Sequence, residues 1–417
     1  MHRLLNTLRP YAWGSTTAIA ELLGHEPSGG PEAELWIGAH PDSPSQVLAG
    51  EQAQGTALDS VIDSRPEATL GEASIEAFGA RLPFLLKVLA AAHPLSLQVH
   101  PTLEQARAGF AAEDAAGVSR NAPERNYKDD NHKPEMIFAL SRFEALCGFR
   151  SAADAAARFE ELTALLAGQS AAEVTEQVAE LLRDPDEEEA LRGAFARLIA
   201  GGQQVRDAVG AAAAAITAAR ADDSGLRTVA ALAQDYPDDP GVLVSLLLNR
   251  VTLEPGQALA LGAGNVHAYL SGLGIEVMAS SDNVLRGGLT TKHVDVAELL
   301  KTVRFASLPV PFLTAVESEL GQEIYRPPFA EFQLQRIQVG PRTGEDSREP
   351  VPVAQAGAAV VLVVDGSLTL DTPKGDLPLG RGESAFIPAV EAPALAHAGD
   401  DGALAFAVTT NLGGDLG

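Results

Sequence analysis

Four side chains from separate stretches of the chain could together bind a divalent metal ion. Gln98 and His100 stand two residues apart in an apolar run, residues 94–101 (PLSLQVHP), so on a strand both side chains point to the same face. Glu135 and His267 follow chain-breaking proline and glycine residues, and each is expected at the end of a further strand. One amide, one carboxylate and two imidazoles form a mixed nitrogen and oxygen ligand set that suits zinc. The sequence therefore predicts a metal-dependent enzyme.

A purely structural role is the alternative for these four side chains. Gln98 and His100 could be hydrogen-bonded inside a barrel, and Glu135 could pair with Lys133. A single histidine would favour that interpretation, whereas four ligand types on separate strand-like segments favour a metal site. Glutamine is an uncommon zinc ligand, so the chemical argument is weakest for Gln98.

The charge of the chain restricts its partners. The formal net charge is −26, which argues against binding to nucleic acid or to an anionic membrane, because both need a basic surface. The same field repels a sugar phosphate unless a local basic pocket receives it. Lysines and arginines inside apolar segments are therefore candidate substrate contacts.

Length and composition indicate a soluble multidomain protein. The 417 residues are 46% apolar and 21% charged, and no apolar run is long enough to span a membrane. The single cysteine, Cys147, cannot form an intrachain disulfide, and the first residues lack the pattern of a signal peptide. We expect a cytoplasmic protein, and we expect it to be a monomer.

The fold is predicted to be mainly β, with cupin or jelly-roll β-barrels and an α-helical insertion. Residues 1–150 and 251–315 have short strands separated by turns and form one predicted catalytic domain. Residues 151–250 are rich in alanine, glutamate and leucine at helical spacing, with Ser151 as the expected cap of the first helix. This second domain is expected to be structural.

The third predicted domain, residues 316–417, is rich in short strands between proline and glycine turns. That pattern is typical of a jelly-roll barrel of the cupin kind. The dipeptide Asp365-Gly366 lies between two apolar runs and predicts a β-hairpin at this position. Since His397 is its only histidine, we expect this domain to be structural or to cover the substrate.

Six motifs in this order resemble type I mannose-6-phosphate isomerases, also called phosphomannose isomerases, over most of residues 10–305. The motifs are residues 11–15 (YAWGS), 33–41 (AELWIGAHP), 94–101, 131–135 (NHKPE), 264–270 (GNVHAYL) and 279–292 (ASSDNVLRGGLTTK). The carboxyl-terminal hundred residues resemble the family only in their general cupin character, and the helical segment only in its position.

The resemblance implies one zinc ion per chain, held by Gln98, His100, Glu135 and His267. It also implies that Arg286 is the catalytic arginine, and its glycine neighbours suit a loop that approaches a ligand closely. The implied reaction is the reversible interconversion of mannose 6-phosphate and fructose 6-phosphate, which serves either mannose use or GDP-mannose biosynthesis.

This isomerisation moves a proton between C1 and C2 through an enediol, so it needs an acid and base, an electrophile and a phosphate contact. The acid or base candidates near the ligands are Glu276, Asp282, Lys133 and His132. The candidates for substrate binding are Lys87, Ser96, Lys292 and Tyr269, of which Tyr269 is expected to line the pocket. Hydrogen bonding to the ligands and ordinary ion pairing are the structural alternatives for these residues.

Two other functions use a similar metal-binding barrel. An iron cupin dioxygenase would need open metal positions, but it gives no reason for the Arg286 loop or for Lys87 and Lys292. A non-enzymatic, metal-bound cupin that senses a sugar would tolerate the loss of Arg286. Oxygen uptake would identify the first alternative, and binding without turnover the second.

Overall fold

The structure is a computed structural model that describes residues 1–48, 55–221, 224–318, 320–340 and 349–413. Short strands and helices alternate in the amino-terminal part, as its many turn residues predict. Its elements are β1 (His2–Leu5), β2 (Thr7–Arg9), α1 (Ala18–Leu23), β3 (Glu34–Gly38), β4 (Gln46–Val47), β5 (Thr56–Ala57), α2 (Leu58–Ser64), α3 (Pro66–Leu70), α4 (Glu72–Phe78), β6 (Phe84–Ala91), β7 (Gln98–Val99), α5 (Leu103–Ala115), β8 (Glu135–Ala139) and β9 (Phe143–Phe149).

A helical insertion follows, as the alanine- and leucine-rich pattern predicts. Its helices are α6 (Ala152–Leu165), α7 (Ala172–Leu181), α8 (Glu187–Ile199), α9 (Gln203–Ala219), α10 (Ser224–Asp235) and α11 (Gly241–Val244). The hydroxyl of Ser151 accepts a hydrogen bond from the Asp154 amide and caps α6, which confirms the predicted start of the insertion. The apolar faces pack into one core around Phe159, Phe195 and Leu243.

The rest of the chain returns to strands. Its elements are β10 (Leu248–Leu253), β11 (Ala258–Leu261), β12 (His267–Ala279), β13 (Leu285–Arg286), α12 (Val296–Thr302), β14 (Phe312–Leu313), β15 (Val316–Glu317), β16 (Glu323–Tyr325), β17 (Gln333–Val339), β18 (Val351–Pro352), β19 (Ala359–Thr372), β20 (Gly375–Gly380), β21 (Ser384–Ile387) and β22 (Leu395–Thr409).

Among the described residues, these strands form two 11-stranded antiparallel sheets. One sheet, the catalytic sheet, runs in the order β14-β11-β8-β12-β6-β3-β2, with β7, β9, β10 and β13 attached to it. The other, the carboxyl-terminal sheet, runs β15-β16-β17-β22-β19-β21-β1-β4-β5, with β18 and β20 attached. The prediction of a mainly β fold with a helical insertion is confirmed.

The two sheets share a core, and the amino-terminal strand β1 belongs to the carboxyl-terminal sheet. Val88 and Ile275 of the catalytic sheet pack in one apolar cluster with Phe386 and Val408 of the carboxyl-terminal sheet. Strand β1 pairs with β21, with Arg3 opposite Ala385. The division into three domains remains a prediction, and its assignment of all of residues 1–150 to the catalytic part does not account for β1, β4 and β5.

The hairpin predicted at Asp365-Gly366 is wrong. Both residues lie inside β19, where the pairing with β22 shifts register on either side of them. Gly366 has φ of 66°, and a Cβ there would lie 2.1 Å from the Gly402 carbonyl oxygen. The dipeptide therefore forms a bulge that bends one long strand, because the partner strand continues past it and leaves no room for a turn.

No helix in the described ranges combines the length and the apolar character that crossing a membrane requires.

Candidate active site

Three predicted metal ligands converge at one end of the catalytic sheet. Glu135 opens β8, His267 opens β12 and His100 directly follows β7. One ligand atom from each lies within 4.8 Å of the other two. Glu135 Oε1 is 3.2 Å from His100 Nε2, and Glu135 Oε2 is 3.4 Å from His267 Nε2. All three side chains are buried, so we call this group the ligand cluster.

The chemistry of the ligand cluster fits a divalent metal. His100 Nε2, His267 Nε2 and Glu135 Oε2 are buried without hydrogen-bond partners among the described residues. A buried polar atom left unpaired costs about 1–3 kcal/mol, so such a convergence needs an explanation. A metal ion with affinity for nitrogen and oxygen provides one, since two imidazoles and a carboxylate are typical zinc ligands.

The opposite nitrogens of both rings are already held. His100 Nδ1 lies 2.8 Å from the Asn283 carbonyl oxygen, and His267 Nδ1 lies 3.0 Å from that of Asn265. An Nδ1–H that donates to a carbonyl leaves Nε2 with a free lone pair, which is the tautomer that a metal needs. Burial lowers the pKa of His100 well below its usual value and that of His267 to about 4, so both rings are neutral.

Gln98 lies beside the ligand cluster in register. It is the partner of His267 across β7 and β12, and of Arg286 across β7 and β13. Its half-buried position and its neighbours place it at the same end of the sheet. Its role as the fourth ligand remains a prediction.

Lys133 contacts the ligand cluster directly. Its ammonium group donates a hydrogen bond to Glu135 Oε1, and the side chain is buried. Burial lowers the pKa of Lys133 to about 8, and the nearby charge of Lys87 acts in the same direction. The ion pair with Glu135 is also the contact that the structural interpretation of Glu135 expects, so a lysine and a metal would share this carboxylate.

Lys87 lies between two buried carboxylates behind the ligand cluster. On β6 it faces Glu276 of β12, with Nζ 2.9 Å from Glu276 Oε2 and 3.6 Å from Glu34 Oε1. Its ammonium also stacks 5.1 Å from the centre of the Trp36 ring. Although burial alone would lower the pKa of Lys87, Glu276 and Glu34 raise it above its usual value. The charge of Lys87 is thus already balanced within the protein.

A second group of titratable residues surrounds Asp282. His40, Asp42 and Asp282 offer ligand atoms within 4.8 Å of one another. Arg120 pairs with both carboxylates, at 3.5 Å from Asp42 Oδ1 and 3.4 Å from Asp282 Oδ2. The Asp282 amide donates to Asp129 Oδ2 at 2.7 Å, and burial raises the pKa of the Asp282 carboxyl. An arginine thus pairs with the carboxylates of this group, whereas a lysine, Lys133, pairs with the carboxylate of the ligand cluster.

A positively charged patch lies next to Gln98. Arg286 is half-buried, and burial is the cause that lowers its pKa. The pKa of Lys292 is lowered by burial and then by the charges of Arg286 and Lys128. We call Arg286, Lys292 and Lys128 the basic patch. The basic patch is a local concentration of positive charge in a chain of net charge −26.

The remaining candidates differ in their surroundings. Tyr269 is buried 6.1 Å from the His267 ring, and its hydroxyl has no partner in the described part of the chain. Ser96 is half-buried in the segment that leads to Gln98. His132 Nε2 instead donates a hydrogen bond to the carboxylate of Glu331, which belongs to the carboxyl-terminal part. The structure therefore associates His132 with the contact between the two sheets.

Sequence reasoning missed three charged residues here. Glu34, which balances Lys87, lies in the motif AELWIGAHP but was not distinguished from its neighbours. Lys128 lies just before the NHKPE motif, and its amide donates to Asn283 Oδ1 at 2.7 Å. Asp239 of the helical insertion contacts the loop after Arg286. A charged residue at the border of a motif was the available signal for Lys128.

The chain is similar to known proteins over most of its length. A family model described as the phosphomannose isomerase type I catalytic domain matches residues 1–152. Mannose-6-phosphate isomerase of Escherichia coli K12 is 42% identical over 94% of this chain and 96% of its own length. That of Rattus norvegicus is 32% identical over 92% of each chain.

Solved structures give the same result for the fold. The crystal structure of a lysine-to-alanine mutant of phosphomannose isomerase from Salmonella typhimurium superposes with a TM-score of 0.86 at 38% identity. It covers 99% of this chain and 100% of its own. A zinc-bound mannose 6-phosphate isomerase structure has a TM-score of 0.84 at 38% identity, covering 97% of this chain and 98% of its own.

Proposed function

Because this chain belongs to the type I mannose-6-phosphate isomerase family, we propose that it interconverts D-mannose 6-phosphate and D-fructose 6-phosphate with one bound zinc ion. The observation that carries the proposal is the ligand cluster, in which two imidazole nitrogens and one carboxylate oxygen are buried and unpaired among the described residues. His100, Glu135 and His267 would hold the ion, with Gln98 as the fourth ligand. Bound zinc supplies a Lewis acid that polarises a carbonyl oxygen.

Arg286 is the proposed catalytic charge. In the forward direction a base removes the proton from C2 of the aldose and the C1 carbonyl oxygen gains a proton, which gives an enediol. A proton then returns to C1 while the C2 hydroxyl loses its proton and becomes the carbonyl. Negative charge develops on the oxygen atoms during this transfer. The guanidinium of Arg286 stays protonated throughout and stabilises that charge from its position opposite Gln98.

The proton carrier is proposed among the titratable residues that surround the cluster. Lys133 contacts Glu135, Glu276 contacts Lys87, and Asp282 lies 3.5 Å from the His40 ring. His132, the fourth candidate, pairs with Glu331 and is the weakest on position. The test is to measure, for a variant of each of the four residues, how fast the C2 proton exchanges with deuterated solvent. A variant that loses this exchange but keeps its zinc identifies the base.

The phosphate group is proposed to bind Lys292 and Lys128 of the basic patch. Lys292 and Lys128 lie beside Arg286, and no carboxylate contributes to the lowered pKa of Lys292. Ser96 and Tyr269 complete the proposed substrate contacts. Lys87 also remains a proposed contact. Its two carboxylate partners already neutralise its charge, so it should attract a phosphate less strongly than Lys292 does.

A coupled assay of mannose 6-phosphate conversion, with and without a chelator, tests the proposal. We expect turnover that the chelator abolishes and zinc restores, and loss of bound zinc in Glu135→Ala. Full turnover by protein without a transition metal would refute the role of zinc. Binding of mannose 6-phosphate without turnover would instead support a sugar sensor, and oxygen uptake a dioxygenase; neither agrees with the family of this chain. Monomeric state and cytoplasmic location remain predictions.

A further inference from the structure

The helical insertion reaches the active site at one carboxylate. Asp239 lies between α10 and α11, and its Oδ1 accepts hydrogen bonds from the Gly241 amide at 2.7 Å and the Leu289 amide at 2.9 Å. Its Oδ2 accepts from the Thr290 amide at 3.1 Å. Leu289 and Thr290 belong to the loop that follows Arg286. One side chain of the insertion therefore binds two consecutive amides of the loop that follows Arg286.

The loop conformation needs this partner. Leu289 has φ of 53°, which is uncommon for a residue with a side chain, and it is buried in the core of the helical insertion. Without the Asp239 carboxylate, the Leu289 and Thr290 amides would lose their hydrogen-bond acceptor. An unsatisfied amide away from water destabilises the structure. The Asp239 carboxylate both satisfies the two amides and holds the turn that they form.

Two glycines allow the close approach. A Cβ at Gly288 would lie 2.7 Å from the Gly241 Cα, and a Cβ at Gly241 would lie 2.7 Å from the Leu289 nitrogen. Neither side of the contact has room for a side chain. The backbone of the insertion therefore packs directly against the backbone of the loop at the point where Asp239 binds.

The opposite side of the same loop is fixed to the metal-binding segment. Gly287 donates its amide to the Leu97 carbonyl at 2.8 Å, and Leu97 donates to the Gly288 carbonyl at 3.0 Å. Arg286 is therefore set between the strand of Gln98 and the insertion. The Tyr236 hydroxyl, also from the insertion, donates to the Pro94 carbonyl at 2.7 Å, in the segment that leads to β7.

We propose that Asp239 is a positioning residue for the isomerisation: its carboxylate fixes the loop of residues 286–292, so that Arg286 and Lys292 face the substrate. The proposal rests on the function proposed above. It gives the helical insertion a part in catalysis, in place of the purely structural role that its sequence suggests. Asp239 itself does not touch the substrate and acts through the loop.

The test compares Asp239→Asn and Asp239→Ala with the matched control Asp238→Asn. Asp238 is the adjacent aspartate, is exposed and has φ of 64°. Loss of a hydrogen bond to a charged acceptor corresponds to a factor of about 10–100. We expect kcat/KM to fall by that factor in Asp239→Ala, and by less in Asp239→Asn, which keeps one acceptor oxygen. The zinc content of both variants should equal that of the wild type. The control Asp238→Asn should have the kcat/KM of the wild type.

A double-mutant cycle with Arg286→Ala separates positioning from general stabilisation. If Asp239 acts through Arg286, its substitution should have little further effect on kcat/KM in the Arg286→Ala enzyme. Full additivity of the two losses, or unchanged kinetics in folded Asp239→Ala, would overturn the proposal. Wild-type protein that fails to isomerise mannose 6-phosphate would instead refute the proposed function. If Asp239→Ala does not fold, the cycle is made with Asp239→Asn, to which the same outcomes apply.

Discussion

Replacing Arg286 should separate catalysis from folding and metal binding. The guanidinium is half-buried, and its lowered pKa arises from burial without a compensating carboxylate. Its charge is therefore available to an oxyanion of the substrate. Arg286 is also not one of the proposed zinc ligands, so its loss should leave the metal in place.

The size of the effect follows from the charge interaction. A guanidinium and a unit negative charge about 4 Å apart attract by about 4 kcal/mol at an effective dielectric constant of about 20. Removal of one preorganised donor lowers kcat by about 10²–10³, which agrees with that energy. Arg286→Ala should therefore lose this factor in kcat, and Arg286→Lys should recover little, because an ammonium lacks the planar fork.

Steady-state kinetics, zinc content and thermal melting of both variants measure the effect. Arg107→Ala is the matched control, because it removes the same charge from the exposed face of α5. Near-normal kcat in Arg286→Ala, or a loss of zinc, would refute the reasoning. Arg286 would then be a structural residue, and Lys133 would be the next candidate for the catalytic charge.

Other perturbations test the metal, the phosphate contact, the buried ion pairs and the packing. Chelation should lower the melting temperature, because zinc stabilises the folded state that binds it; a midpoint unaffected by chelation would contradict this. Lys292→Gln should raise KM for mannose 6-phosphate about 10-fold or more, whereas exposed Lys301→Gln should not. Lys87→Met should lower the unfolding free energy by about 3–5 kcal/mol in urea denaturation, because two buried carboxylates lose their partner; an unchanged midpoint would refute the pairing. Cys147 should react with a thiol reagent only after unfolding, since burial raises its pKa to about 12; labelling of the folded protein would contradict that.

The parts of the site that depend on residues close together in the sequence could be predicted from the sequence alone. Glu135 and His267 open strands as predicted, because proline and glycine residues before them end the preceding loops. The helical insertion begins at the predicted cap, Ser151, because capping and helical spacing are both local. The ligand cluster forms because these strand ends lie side by side in one sheet.

Features that depend on pairing between distant segments could not be predicted in this way. The role of Asp239 arises from a contact with amides about fifty positions later in the chain, and no pattern around it indicates an acceptor of that kind. The bulge at Asp365-Gly366 has the composition of a turn, and only the partner strand decides between the two. Likewise, nothing local shows that Glu34 rather than a solvent ion balances Lys87.

The position of β1 has a consequence for synthesis of the chain. His2–Leu5 leaves the ribosome long before its partner Ser384–Ile387, because the two strands lie far apart in the chain. Since β1 joins β4 and β5 to the carboxyl-terminal sheet through β21, that sheet cannot close until β21 has been translated. The core that the two sheets share also needs both Val88 of the catalytic sheet and Phe386 of the carboxyl-terminal sheet. Nascent chains arrested before residue 384 should consequently be cleaved by protease in the catalytic sheet at sites that the finished protein protects.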